Sequence, residues 1–452
     1  MQLSFITPPS EYLYNPFRGD QHCQMQLLTI LEQNYGDRLG LSLIDLRGVK
    51  ENYLPYHVPE RDVYLHSVYT LDFNQQVKLV KDLKEAYPKA KHVAGGPHVN
   101  LFPEEALKHF DSIVLGDAEE TINSIINDAF SGNLQRIYHQ ETPIDINNYP
   151  YAKRHFVPKS STARKGMMTI KNNKEYEELL GTTVVFTRGC LYKCSFCAIP
   201  QIRSINPKMR ARSPENIEAE IEYLKKEYGI QGISLHDEIG IPLDRKQAIS
   251  RLEALARTGI IWRGQCRVDG ITSEIAQLMR ESGCIAMGLG IESASQQALD
   301  MINKKIDVER SKETIRILKE KGIAPRLYMI MGLPGEPENI SEITWNFLQE
   351  TKPDVVFMHL FTPRPGTEVY DSPDKFGIES VGEDWSKNNH LFYAGDSPEA
   401  TFKYKDITPW GRGRKSEQIV ADYKEMLERI QEAGMSPYPP KRKEIVEAQL
   451  ES

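Results

Sequence analysis

The chain has 452 residues, of which 40% are hydrophobic and 26% charged, and 56 basic against 63 acidic side chains give a formal charge of -7. That length holds two or three domains with full cores, and the acidic balance gives no support to a polynucleotide or anionic-membrane partner. The opening MQLSFITPPSEYLYNPF lacks the basic flank and apolar run of a signal peptide, no stretch is long and apolar enough to span a bilayer, and six cysteines over this length are no disulfide scaffold, so the expectation is a cytoplasmic protein.

Short apolar runs alternate with amphipathic helices over residues 1–135. Strands are expected at 3–7, 41–45, 63–68, 92–96 and 112–116. Between them, FNQQVKLVKDLKEAY (73–87) spaces Val77, Leu79, Val80 and Leu83 near helical period, and HCQMQLLTILEQ opens a helix at His22. Five strands with intervening helices predict a flavodoxin- or Rossmann-like parallel sheet, whose ligands sit at the carboxyl ends of its strands. Residues 136–180 are polar and proline-bearing, without period, and read as a connector.

Residues 181–370 repeat the strand–helix theme six times, with strands expected at 183–187, 231–236, 260–266, 285–290, 325–331 and 354–360. SPENIEAEIEYLKKEYG (213–229) is well punctuated, with Ser213 as N-cap, Pro214 in the first turn and Gly229 past the end. DVERSKETIRILKEKG (307–322) follows the same logic. Six such units predict a partial TIM-like (β/α)6 barrel with its chemistry at the carboxyl ends of the strands. Residues 371–452 are less regular, with one amphipathic helix over 413–434, and read as a mostly helical tail.

VVFTRGCLYKCSFCAIP, following the first barrel strand, places Cys190, Cys194 and Cys197 within eight residues. A structural zinc wants a fourth Cys or His nearby, and the loop has none. A 4Fe-4S cluster takes four ligands, so three thiolates leave one iron open to an outside ligand. Chance clustering is the remaining alternative.

Cys190-x-x-x-Cys194-x-x-Cys197, with Phe196 before the last cysteine, resembles the signature of the radical S-adenosylmethionine (SAM) superfamily. The resemblance covers roughly residues 180–370 and implies that the three cysteines hold a 4Fe-4S cluster whose open iron is chelated by SAM. One electron from the cluster then yields a 5'-deoxyadenosyl radical. It also implies an external electron donor such as flavodoxin or ferredoxin, and SAM contacts from Phe196, from Glu238 or its neighbour Asp237 in HDEIGI, from Arg267 in CRVDG, Glu292 in MGLGIESAS and Gly332 in MGLPGE. For each of these, a solvated loop charge or a turn glycine is the plain alternative.

An α/β domain before such a core resembles the cobalamin-binding branch of the superfamily. That resemblance implies cobalamin contacts from the strand ends: Pro8 and Pro9, Ser67 to Thr70, Gly95, Gly96, Pro97 and His98, and Gly116 to Glu119. Asp20 and His22 match part of an Asp-x-His-x-x-Gly cobalt-ligating loop, but Met25 stands where glycine is needed, so the match reads as coincidence. Cys23, Cys266 and Cys284 read as packing residues, and Tyr328, Tyr370 and Arg364 as barrel lining or turn.

The resemblance implies a cobalamin-dependent radical SAM methyltransferase acting on an unactivated carbon of a small molecule. One SAM supplies the methyl by way of cobalamin and a second supplies the radical. The alternative on the same scaffold is dehydration, cyclisation or ring rearrangement, possibly with no cobalamin bound. A methylthiotransferase on transfer RNA is disfavoured: the N-terminal region carries only Cys23, and the tail reads as helical rather than as a small β-domain.

Overall fold

The computed structural model describes residues 1–10, 19–49, 57–170, 173–199, 209–385 and 398–437. Six strands form the first sheet: β1 (Gln2–Thr7), β2 (Gly40–Asp45), β3 (Val63–Ser67), β4 (Lys91–Gly95), β5 (Ser112–Leu115) and β6 (Ile137–His139). They lie in the order β2-β1-β3-β4-β5-β6, and every pairing is parallel. Helices cover both faces, which is why the strands read as unbroken apolar runs. Leu27, Leu31 and Ile125 of α1 (His22–Tyr35) and α3 (Thr121–Ser131) bury against Leu3, Phe5 and Val93. Leu79 and Leu83 of α2 (Phe73–Ala86) bury against Ile6 and Tyr64 on the other side. β6 lies where a connector is expected. Three residues with only Tyr138 buried carry no readable period.

Strand order reverses between β1 and β3, so the loops leaving their carboxyl ends diverge and open a crevice. Gly96 lets the chain after β4 cross that crevice wall. Its φ is +105°, and a Cβ there would sit 2.8 Å from the backbone nitrogen of Val68.

The second sheet runs in simple chain order: β7 (Gly181–Val184), β8 (Gly232–Leu235), β9 (Ile261–Cys266), β10 (Cys284–Glu292), β11 (Ala324–Met331) and β12 (Val355–Leu360). All pairings are parallel, making half a barrel. Its outer helices include α4 (Pro214–Tyr228), α5 (Arg245–Thr258), α6 (Ser273–Glu281), α7 (Val308–Glu320) and α8 (Ile340–Thr351). Ser213 Oγ accepts from Asn216 N–H at 3.3 Å, and Gly229 ends α4 with φ 68°. A half barrel has two free edges, each an aggregation template unless covered. Arg164 exchanges both backbone bonds with Gly181 on β7, and Val356 of β12 donates to the Met435 carbonyl at 2.8 Å.

The tail carries α9 (Ser416–Glu432) as its helix, preceded by two short antiparallel pairs, Ile378–Val381 with Phe402–Tyr404 and Ile407–Thr408 with Gly411–Arg412. Residues 386–397 and 438–452 of that region lie outside the described residues. Arg414 is buried between the carboxylates of Glu336, in the loop after β11, and Asp422 of α9. No helix among the described residues is long and apolar enough to cross a membrane.

Buried polar side chains join the two sheets. Asp20 accepts from Thr183 N–H at 3.1 Å and Thr183 Oγ1–H at 2.5 Å, and pairs with Arg164 at 2.7 Å. Arg154 is fully buried. It donates to His22 Nδ1 at 2.9 Å and to the Thr183 carbonyl at 3.0 Å, and faces Glu220 at 3.4 Å.

Arg154→Ala strands the buried Glu220 carboxylate and is expected to cost about 3 kcal/mol or more in urea unfolding. The double change Arg154→Ala/Glu220→Ala should cost less than the sum of the two single changes, as a double-mutant cycle will read. Gly96→Ala must push against backbone at positive φ, and its expected cost is about 2 kcal/mol by the same unfolding measurement.

Candidate active site

The crevice of the first sheet opens onto the carboxyl ends of β7 and β8, and together they enclose a cavity of about 520 Å³. Pro8, Ser67, Gly96 and Gly116 line it from the first sheet, and His236 and Glu238 from the second. Tyr69, Pro97 and Asp117 line it as well, while Pro9, Gly95 and Thr70 lie off the lining. The Pro9 carbonyl accepts from Gly48 N–H at 3.3 Å, and that of Gly95 from Val68 N–H at 2.8 Å. Thr70 Oγ1 is 3.4 Å from His98 Nδ1. His98 itself is buried against Phe73, with ring centroids 3.9 Å apart, and does not line the cavity. Asp237 holds backbone in place: it accepts from the N–H groups of Phe186 and Thr187 at 2.7 and 3.1 Å and pairs with Arg251 at 3.2 Å.

His22 lines the cavity at the start of α1, yet both its ring nitrogens are engaged. A guanidinium can only donate, so Nδ1 accepts from Arg154. Thr183 spends its hydroxyl proton on Asp20, so Nε2–H donates to Thr183 Oγ1 at 2.6 Å. The imidazole is therefore neutral. Burial first, then Arg154, holds its pKa well below the ordinary histidine value. No lone pair remains for a metal, and the Asp20–His22 pair fastens the two sheets together.

Glu119, expected at the cavity, is buried against Arg188 at 2.5 Å. Arg188 does line the cavity, and it also bonds Gln26 of α1 at 2.5 Å, while Asp117 bridges Arg188 and Arg210. Burial alone lowers Arg188, but the Glu119 and Asp117 carboxylates more than offset it, and its pKa lies above the ordinary arginine value.

Two residues beyond Arg188 the cysteine loop begins. Cys190, Cys194 and Cys197 are all free and half-buried. Among the described residues no three His, Cys, Asp or Glu side chains converge as ligands of a single metal ion. The three thiols lie within electrostatic reach of one another and of the Lys304 ammonium. Burial pushes each thiol pKa up, while nearby cations pull it down: Arg267 and Lys304 for Cys190 and Cys194, and Arg364 and Lys304 for Cys197. Arg267 Nη1 is 3.8 Å from Cys194 Sγ. Its guanidinium lies 3.5 Å from the Tyr192 ring centroid, pairs with Asp269 at 3.0 Å and donates to the Lys304 carbonyl at 2.8 Å. Glu292 takes a strained φ of 66° at the end of β10 and pairs with Lys304 at 2.7 Å. Lys304 also lies 5.7 Å from the Phe196 ring centroid.

The structure thus gathers Phe196, Arg267 and Glu292 around the three cysteines and places Glu238 on the cavity. Gly332 has a packing reason for its identity: a Cβ there would meet Ile419 at 2.8 Å, and its φ is +96°. Lys304 escapes sequence reasoning because INKKI offers two adjacent lysines and no pattern to choose between them. Arg154 escapes it because a lone arginine in a polar connector gives no sign of burial.

Comparison with known proteins agrees with this two-part layout. The family model of the radical SAM superfamily matches residues 184–344, and that of the B12 binding domain matches residues 58–126. An uncharacterized methyltransferase of Pyrococcus horikoshii is 27% identical over 288 residues, 62% of each chain. The anaerobic magnesium-protoporphyrin IX monomethyl ester cyclase of Rubrivivax gelatinosus is 32% identical over 41% of this chain and 33% of its own. The chain therefore spans less than two thirds of the length of either relative. Among solved structures, the radical SAM methyltransferase TsrM from Kitasatospora setae, with cobalamin and a 4Fe-4S cluster bound, superposes with a TM-score of 0.68 at 13% identity, over 97% of this chain and 91% of that one. The cobalamin-dependent radical enzyme OxsB has a TM-score of 0.55 at 18% identity, over 83% of this chain and 56% of that one. Both likenesses are of fold. With its two family domains in this order, the chain belongs to the radical SAM superfamily of enzymes, in the branch that carries a B12-binding domain.

Proposed function

We propose that the protein is a cobalamin-dependent radical SAM methyltransferase that methylates an unactivated carbon of a small molecule. The single observation that carries the reading is the loop after β7, where three half-buried thiols within eight residues meet the cations Arg267, Lys304 and Arg364. This donor set suits an anionic iron–sulfur centre, since thiolates bind it and neighbouring cations balance its charge. The cavity at the switch point of the first sheet suits a large cofactor. The buried Gln21 Nε2 there has no partner, and the fold presents divergent strand-end loops. Bound in these places, the cluster and cobalamin supply one-electron cleavage of SAM and a carrier for its methyl group.

The protein's own residues then bind, orient and shield. Cys190, Cys194 and Cys197 ligate the cluster and leave one iron open to SAM. Arg267 and Glu292 present a cation and a carboxylate to the charged amino-acid end of SAM, from opposite sides of Lys304. Phe196 and Gly332 belong to the same SAM surface. Glu238, which lines the cavity, is the further SAM contact. Pro9, Ser67, Thr70, Gly95, Gly96, Gly116 and Glu119 shape the cobalamin crevice, those behind the lining by holding the loops in place. The proposed domain limits are 1–135, 136–180, 181–370 and 371–452, with β6 at the start of the connector completing the first sheet, and the connector and tail exclude water from the radical. The naming of relatives such as that of Pyrococcus horikoshii as methyltransferases favours methylation as the outcome.

Two measurements test this. Anaerobic reconstitution with iron, sulfide and hydroxocobalamin should give near one cobalt and four irons per chain after desalting, and four irons without cobalt would transfer the reading to cobalamin-free radical chemistry. Cys194→Ala should lose the iron and all 5'-deoxyadenosine formation under dithionite, and a variant that still made 5'-deoxyadenosine would sink the cluster assignment.

A further inference from the structure

The cations around the cysteine loop are unequally committed. Arg267 is clamped by Asp269 at 3.0 Å and the Lys304 carbonyl at 2.8 Å, and Lys304 by Glu292 at 2.7 Å. Arg364, in the turn after β12, is different. Among the described residues no hydrogen bond or ion pair holds its guanidinium, although it is half-buried and lies within electrostatic reach of the Cys197 thiol and the Glu292 carboxylate. Burial lowers its pKa from the ordinary arginine value, and those two groups offset only part of that. A guanidinium keeps its charge at any ordinary pH, so a desolvated one without a partner costs free energy until an anion arrives. Its planar fork of donors matches an oxyanion.

The turn that carries Arg364 is fixed from three sides. The Arg364 carbonyl accepts from Thr367 N–H at 3.2 Å and from Thr367 Oγ1–H at 2.7 Å. Val369 N–H donates to the Ser195 carbonyl at 3.1 Å, and Ser195 Oγ–H donates to Glu368 at 2.7 Å, so the turn is bonded to the cysteine loop between Cys194 and Cys197. On the far side Gly366 abuts the helix Pro97–Leu101 of the first domain. A Cβ at Gly366, whose φ is +77°, would sit 2.6 Å from Leu101 Cδ2. Pro97 and Asn100 of that helix line the cavity. Arg364 thus stands where the cysteine loop, the end of β10 and a wall of the cavity meet. Two strands separate β12 from β9, whose end carries Arg267. A second guanidinium so far across the sheet is one more than the single carboxylate of SAM needs.

We propose that Arg364 recognises an oxyanion, a carboxylate or a phosphate, on the molecule to be methylated. The inference rests on the methyltransferase reading above and narrows its substrate to an acid. A bidentate pair fixes orientation as well as distance, so an acid anchored at the end of β12 presents one carbon, and not its neighbours, for reaction. A neutral isostere such as the matching amide leaves the guanidinium without a countercharge and is rejected.

The test labels the reconstituted full chain with phenylglyoxal, which modifies guanidiniums that are reachable and unpaired. The rate at Arg364 is read by peptide mass spectrometry in buffer, with SAM, and with SAM plus either malonate or inorganic phosphate. The two anions stand for the two sources of an oxyanion, and the one that protects better names the acid group. The expected result is that Arg364 labels with the iron–sulfur centre and SAM in place, and that malonate or phosphate slows it about fivefold or more while the exposed Arg38 is unaffected. An Arg364 that stays unlabelled, or that labels equally with and without both anions, overturns the proposal. So does labelling stopped by SAM alone, which assigns Arg364 to the SAM carboxylate, or by the centre alone, which assigns it to the centre. Iron is counted on the same sample, and a chain that holds none overturns the cluster reading instead, and this inference with it.

Discussion

Arg154 is the residue on which the arrangement turns. It is fully buried at the seam between the two sheets and reaches His22 on one side and Thr183 and Glu220 on the other. Taking a guanidinium out of water is expensive, and here Nη1 and Nη2 find partners while the buried Nε finds none among the described residues. An apolar seam would hold the sheets together in many orientations, because hydrophobic contact has no direction. Hydrogen bonds between charged and planar groups have a strict one. The sheets are therefore joined at a defined angle, with the carboxyl ends of β1 and β3 facing those of β7 and β8. Every feature of the cavity follows from that one opposition.

Most of the architecture was legible because most strands are apolar runs with buried residues and several helices carry their own caps. The eleven expected strands all appear, and Ser213, Gly229 and Asp307 punctuate helices as their chemistry requires. β6 and the two antiparallel pairs of the tail were not legible, because two to four half-exposed residues carry no period. In the site, cysteine spacing names a centre without structure. What spacing cannot reveal is pairing at a distance. Asp20 and His22 match part of a metal-binding motif, and only the structure shows their bonds spent on Thr183 and Arg154. Asp237 and Glu238 are neighbours in sequence, but the strand end buries the first and turns the second to the cavity.

The cysteine loop is held by residues that are themselves strained or buried. Glu292, Asn303 and Lys305 all take positive φ without being glycine. Arg267 is clamped by Tyr192, Asp269 and the Lys304 carbonyl at once. Such conformations persist only where surrounding contacts over-determine them, and here they converge on three thiols. The loop is over-determined by contacts on its inner side and exposed at Leu191 and Lys193 on its outer side.

The edge of β12 is covered through Met435, and among the described residues the buried Glu336 finds its cation in Arg414. Both partners follow every strand of the half barrel in the chain. The first sheet completes its strand pairing with β6. The half barrel keeps an open edge and an uncompensated buried carboxylate until Arg414 and Met435 are in place. Six complete strands are thus not yet a complete barrel, because the segment that follows them supplies both the edge and the countercharge.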